Sequence, residues 1–177
     1  DNAIGKNISV IVATGNFGST TQITLPACFK NSTAVGAVDK SNGMVHNRNN
    51  ITDLLAPGVS ITSLKKDGGT ESLSGTSMST PTVAGAFALL HQFRRLEQNI
   101  ILTPDQIQDA LNDTGKRIDD TSGSGFFFSR INIFAAIESL DTLGPIITFV
   151  SPTPDDNSII GDDYFFINIT SNEKIST

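Results

Sequence analysis

Ser74-Gly75-Thr76-Ser77-Met78-Ser79-Thr80-Pro81-Thr82-Val83-Ala84-Gly85 sets one hydroxyl at a strand-to-helix turn. Ahead of it, Gly69 to Leu73 has strand character; behind it, Val83, Phe87, Leu90 and Phe93 recur at helical spacing, which predicts an amphipathic helix starting at or just after Ser77. Pro81 is expected in the first turn, where a missing N–H costs nothing. A serine in that turn stands where unpaired backbone N–H groups and the positive end of the helix dipole converge, so developing negative charge is favoured beside it. This is the environment of an acyl-transfer nucleophile, and Ser77 is the candidate. Taken alone, Ser77 is read better as a structural cap, because serine is common at helix N-caps.

Upstream, Ile8-Ser9-Val10-Ile11-Val12-Ala13-Thr14-Gly15-Asn16 is a mostly apolar, β-branched run that reads as a buried parallel strand ending in Gly-Asn. By itself the Gly-Asn is a turn signal. Together, the two stretches change the balance. The segment around Ser77 resembles the serine motif of subtilisin-like serine proteases, Gly-Thr-Ser-Met-Ala-x-Pro-x-Val-Ala-Gly, with Ser79 in place of the usual alanine and Thr82 where histidine is frequent. The Ile8 run resembles the same family's Val-Val-x-Ala-Ala-Gly-Asn strand, and Ala34-Val35-Gly36-Ala37-Val38-Asp39 and Asp53-Leu54-Leu55-Ala56-Pro57-Gly58 match its intervening segments. The resemblance covers Asp1 to about Leu140.

The resemblance implies a catalytic Ser77, Asn16 donating its amide to the oxyanion of a tetrahedral intermediate, and Ala13, Thr14 and Gly15 lining the primary side-chain pocket, which the bulk of Thr14 is expected to narrow. Thr76 and Met78 stand as supporting residues; oxidation of a thioether beside the nucleophile would make it polar and bulkier. The expected partner is a protein or peptide substrate, and the expected location is extracellular or at the cell surface.

A serine protease of this type also needs a histidine base and an orienting aspartate, both ahead of the serine in this family. No Asp-[Ser/Thr]-Gly stands at the end of a strand, and no His-Gly-Thr occurs. His46, in a polar loop, and His91, down the helix, receive no role. Asp1 to Asn7 reads as the end of a helix running into the Ile8 strand, so the chain is expected to be part of a longer protease, lacking the acid and base and inactive alone. The alternatives are a non-catalytic binding or adhesion module of the same family and, more weakly, an esterase, whose Gly-x-Ser-x-Gly would need a glycine at Ser79.

The remaining features narrow the class. With 177 residues and a net charge of −6, the chain carries no basic patch for nucleic acid. No apolar run is long enough to span a membrane. Cys28, the single cysteine, cannot form an intrachain disulfide, and its neighbours Ala27 and Phe29 suggest a small buried thiol. The Asn-x-Ser/Thr triplets at Asn7, Asn31, Asn50, Asn112 and Asn168 are read as composition. Asp119-Asp120 and Asp155-Asp156 show no spaced oxygen-ligand loop, so no cofactor or metal is assigned, although structural calcium is common in the family. Thr103-Pro104-Asp105-Gln106 predicts a capped helix start, Gly115 its end, and Asn132 the cap of a further helix to Leu140. The expected fold is α/β, a three-layer αβα arrangement with a mostly parallel sheet over residues 1–142. Residues 145–177, with strands at 146–150 and 164–170, resemble the opening of an immunoglobulin-like β-sandwich.

Overall fold

The computed structural model describes residues 2–142, 147–150 and 169–171, and the chain divides into two compact units, Asp1–Asp141 and Thr142–Thr177. In the first unit the sheet strands are β1 (Ile11–Ala13), β2 (Thr33–Val38), β3 (Leu54–Pro57), β6 (Lys116–Asp120) and β7 (Phe126–Arg130), in the order β1-β2-β3-β7-β6. The pairs β1–β2, β2–β3 and β3–β7 are parallel, and only β6 runs antiparallel, at the far edge. Between β3 and the first helix, β4 (Ile61–Leu64) and β5 (Thr70–Leu73) make a separate antiparallel hairpin. The strand that leads into Ser77 therefore belongs to this exposed hairpin and not to the central sheet.

β2 is buried at all six positions, as a strand flanked on both edges should be. β1 is shorter than its apolar run and half-buried, because it lies at the sheet edge with one side unpaired. The predicted helix becomes α1 (Thr76–Gln98), with Val83, Phe87 and Leu90 on its buried face. α2 (Pro104–Asp113) opens with the expected capping box, Thr103 and Gln106 each bonding the other's backbone N–H. Asn132 caps α3 (Ile133–Leu140) through the Ala135 N–H.

All three helices pack on one face, where Val35, Leu54 and Ala56 meet Val83, Ala86, Phe87 and Leu90 of α1, Ile107 and Leu111 of α2, and Ala136 of α3. The opposite face gathers Val38, Leu55, Ile118 and Phe128, with Met44 from a loop. The mostly parallel sheet and its helices fit the expected α/β arrangement, with the helices of the described residues all on one face of the sheet. The connections from β1 to β2 and from β2 to β3 run as Gly-, Asn- and Ser-rich loops.

Three local expectations need correction. Pro81 is not in the first turn of α1 but six residues into the helix, since the helix already begins at Thr76; its missing N–H leaves the Ser77 carbonyl without the usual i→i−4 donor. Cys28 is exposed, because the turn around it buries Ala27 and turns Cys28 and Phe29 outward. Asp1 to Asn7 contributes a single 3-10 turn, Ile4–Lys6, closed by Asn7 in the left-handed region.

In the second unit, β8 (Ile147–Phe149) and β9 (Ile169–Ser171) pair antiparallel. The rest of the proposed sandwich strands, Asp155-Asp156 and Asn168 lie outside the described residues.

Candidate active site

α1 begins with its first backbone donors exposed to capture by whatever lies in front of them. Gly75, at the N-cap, has no side chain to offer. The cap comes instead from 60 residues upstream: Thr76 N–H donates to Asn16 Oδ1 at 2.9 Å, and the Thr76 hydroxyl donates to the same oxygen at 3.1 Å. That hydroxyl also accepts the Gly15 N–H at 3.1 Å, and Thr76 is fully buried. With its oxygen held by two donors, the Asn16 carboxamide turns its Nδ2 hydrogens to the other side, and Asn16 is solvent-exposed.

Ser77 follows directly and is also exposed. Among the described residues neither its hydroxyl nor its backbone N–H meets a partner, whereas the Met78 N–H next to it bonds the Gly75 carbonyl at 2.9 Å. Among the described residues the Ser77 N–H, the Ser77 hydroxyl and Asn16 Nδ2 each lack a hydrogen-bond partner, and the two bonds from Thr76 to Asn16 Oδ1 tie the asparagine to the residue preceding Ser77. The closeness of the two chains needs glycine: Gly75 has φ 149°, and a Cβ there would lie 3.1 Å from Asn16 Nδ2. Gly58 backs this turn, its carbonyl accepting the Gly75 N–H at 2.7 Å.

Ser79, in place of the resemblance's alanine, is fully buried, but its hydroxyl is satisfied by the Thr76 carbonyl at 2.9 Å. Thr82 lies exposed and bonds back to the Met78 carbonyl. Neither departure disturbs the turn. Met78 is half-buried.

Ala13 and Gly15 are half-buried at the end of β1. Thr14 is 0% exposed and its hydroxyl donates to the Asn47 carbonyl at 2.6 Å, so its side chain presents no surface with which to narrow a cleft. Sequence reasoning missed Asn47. Its Oδ1 accepts the N–H groups of Phe17 at 2.8 Å and Ser19 at 3.1 Å, and its own N–H bonds the Gly15 carbonyl. A lone asparagine in a polar loop carries no sequence signal for such a role.

His91 lies 14 positions beyond Ser77 on the same helix, about 21 Å along its axis at ~1.5 Å per residue. His46 is half-buried rather than exposed; burial lowers its pKa, and its Nε2 has no partner among the described residues. Neither histidine bonds Ser77. Of the paired carboxylates, Asp119 Oδ1 is taken by Thr121 and Asp120 is paired with Arg48, and among the described residues no three acidic, His or Cys side chains converge.

The subtilase family model matches residues 1–129, most of the chain. The chain belongs to the subtilase family. It is 36% identical over 145 residues to subtilisin of Bacillus pumilus, covering 78% of this chain and 50% of that protein. Against a thermophilic serine proteinase of Bacillus sp. strain AK1 it is 39% identical over 137 residues, covering 76% and 32%. Among solved structures, the prenylagaramide maturation protease PagA superposes with a TM-score of 0.69 at 31% identity, over 78% of this chain and 53% of the other. The patellamide maturation protease PatA gives 0.69 at 29% identity, with the same coverage. This subtilase chain therefore spans about half the length, or less, of these relatives. Among its described residues, no helix is long and apolar enough to cross a membrane.

Proposed function

We propose that this subtilase chain supplies the nucleophile and the oxyanion donors of a serine endopeptidase. In this reading the Ser77 hydroxyl attacks the scissile carbonyl, and its proton passes to a base. The carbonyl oxygen becomes an oxyanion held by Asn16 Nδ2 and the Ser77 N–H; the amine leaves, and water releases the acyl group from Ser77. Fixed donors aimed at that oxygen stabilise the transition state more than the ground state. The observation that supports the reading is the double tether of Thr76 to Asn16 Oδ1, which holds the asparagine side chain against the residue preceding Ser77 and leaves its Nδ2 to donate.

The base and its orienting carboxylate come from residues outside this chain, since neither His46 nor His91 bonds the serine. The chain alone is accordingly inactive. The backbone of Ala13, Thr14 and Gly15 lines the cleft for the residue ahead of the cleaved bond, with Thr14 contributing through its main chain. Substrates are proteins or peptides met outside the cytoplasm, and residues 145–177 open a β-sandwich module.

Labelling the product of the full reading frame with a fluorophosphonate tests this: adduct on the wild type and none on Ser77→Ala is expected. Absence of adduct from a folded wild type would favour the non-catalytic binding module.

A further inference from the structure

The segment that carries Asn16 is gripped from behind by two consecutive residues. Thr14 Oγ1 donates to the Asn47 carbonyl, Asn47 N–H bonds the Gly15 carbonyl, and Asn47 Oδ1 accepts from Phe17 and Ser19. The next residue adds a fifth bond, Arg48 N–H to the Ser19 carbonyl at 2.9 Å. Residues on both sides of Asn16 are thus tied to the pair Asn47-Arg48, while its carboxamide is tied to Thr76.

Arg48 is itself anchored. Its guanidinium makes a two-pronged bond to Asp120, Nε to Oδ2 at 2.6 Å and Nη2 to Oδ1 at 3.0 Å, and its Nη1 donates to the His46 carbonyl at 3.1 Å. Both partners are buried, Arg48 at 8% and Asp120 at 9% exposure. A planar fork on a carboxylate fixes orientation as well as distance. Asp120 is held in turn at the β6–β7 turn, where its carbonyl accepts the N–H groups of Gly123, Ser124 and Gly125. Gly123 is needed for the fit: a Cβ there would lie 2.5 Å from Asp120 Oδ1 and 2.8 Å from Arg48 Nη2.

We propose that Arg48 and Asp120 are positioning residues for the oxyanion donor, holding Asn47 and through it the strand end that aims the Asn16 amide. Without the ion pair the Asn47 loop keeps its own bonds but loses its fixed base, and the amide is less sharply directed. The inference rests on the reading of Asn16 as an oxyanion donor.

The test is a double-mutant cycle in the complete protease, reading kcat and KM on a peptide anilide. Arg48→Met is expected to lower kcat about tenfold with KM changed less than about twofold, since remote misplacement of a catalytic group by ~1 Å costs up to about 10². In an Asn16→Ala background the same substitution should lower kcat by less than about twofold, because the group it positions is gone. An equal loss in both backgrounds, or none in either, overturns the proposal. Asn16→Ala with wild-type kcat would instead overturn the oxyanion reading itself. Should Arg48→Met not fold, Gly123→Ala, which presses on the ion pair while keeping both charges, is run through the same cycle: a kcat loss confined to the Asn16 background supports the proposal, and an equal loss in both, or none, overturns it.

Discussion

Asn16→Asp separates capping from catalysis at a single side chain. Oδ1 of Asn16 accepts two bonds from Thr76 at the start of α1, and an aspartate oxygen accepts them equally well. Hydrogen bonds to a charged group are worth about 1.5–3 kcal/mol against about 0.5–1.5 for neutral ones. A carboxylate at a helix N-terminus gains about 0.3–1 kcal/mol more. Stability should therefore hold or rise by up to about 1 kcal/mol, the exposure of Asn16 limiting the gain. The other side-chain atom changes from a donor to an acceptor carrying negative charge, which on the proposed reading faces the forming oxyanion. The loss of one such donor costs about 10²–10³ in kcat in subtilisin itself, a relative from which the figure is carried over. The aspartate should cost at least about 10², with KM little changed. Asn16→Ala is the control, losing both functions: about 0.5–2 kcal/mol of stability for the cap and a comparable fall in kcat. Urea denaturation and steady-state kinetics on the complete protease read both quantities. An Asn16→Asp enzyme within about threefold of wild-type kcat would show that Asn16 only caps the helix, and the oxyanion reading would fall.

Thr76→Val keeps the buried volume but strips the Gly15 N–H of its acceptor and one tether from Asn16; a stability loss of about 2–4 kcal/mol and about tenfold in kcat is expected, with Thr76→Ser near wild type in kcat. Equal kcat losses for the two variants would exclude the hydroxyl as the cause. Gly58→Ala would set a Cβ 2.6 Å from Ala37 Cβ and 2.8 Å from the Gly75 carbonyl, so thermal unfolding should reveal a loss of at least about 1–3 kcal/mol. For Asp53, burial raises its pKa from 3.8 despite bonds from the Ala34 N–H and Gln108. A raised folded pKa means that its favourable contribution is fully present below the unfolded value and is lost as pH rises through the folded one. Wild-type stability should thus decline upward from about pH 3.8 relative to Asp53→Asn, and parallel urea midpoints for the two proteins across about pH 3.5–7 would refute it. Met78 is half-buried directly after Ser77, so peroxide should inactivate the complete protease and Met78→Ala should resist; equal sensitivity would exonerate the thioether.

The helix start at Thr76, the capping box at Thr103 to Gln106 and the Asn132 cap are legible because each is written in a short contiguous stretch. What escapes is long-range. Arg48 and Asp120 are 72 positions apart, and nothing in the periodicity of either segment announces the other. Asn47 acts through a carbonyl, an N–H and a side-chain oxygen, of which two belong to any residue. Cys28 misleads because apolar neighbours signal burial only within a regular element, and it sits in a turn. Thr14 misleads differently: the position matches a pocket-lining strand, but alternation along a strand sends neighbouring side chains to opposite faces, and this one points its hydroxyl into the Asn47 loop. Pro81 lies a turn deeper than proline's preference for the first turn suggests, because the cap that Asn16 provides from a distance starts the helix earlier.

On the proposed reading, that remote cap also ties the nucleophile to the oxyanion donors. A serine that capped its own helix would spend its hydroxyl on a backbone N–H, leaving none for attack. Here Gly75 occupies the cap position, Asn16 supplies the acceptor, and Ser77 is displaced into the first turn with its hydroxyl and N–H both free. The same amide that caps with its oxygen has a nitrogen left to donate, which ties the direction of the donor to the start of the helix carrying the nucleophile. The groups proposed to fix this relation, Thr76, Gly58, Gly75, Asn47 and the Arg48–Asp120 pair, lie within this chain. In that reading, loss of the base would stop proton transfer without moving the donors, so the two proposed contributions should be separable by substitution.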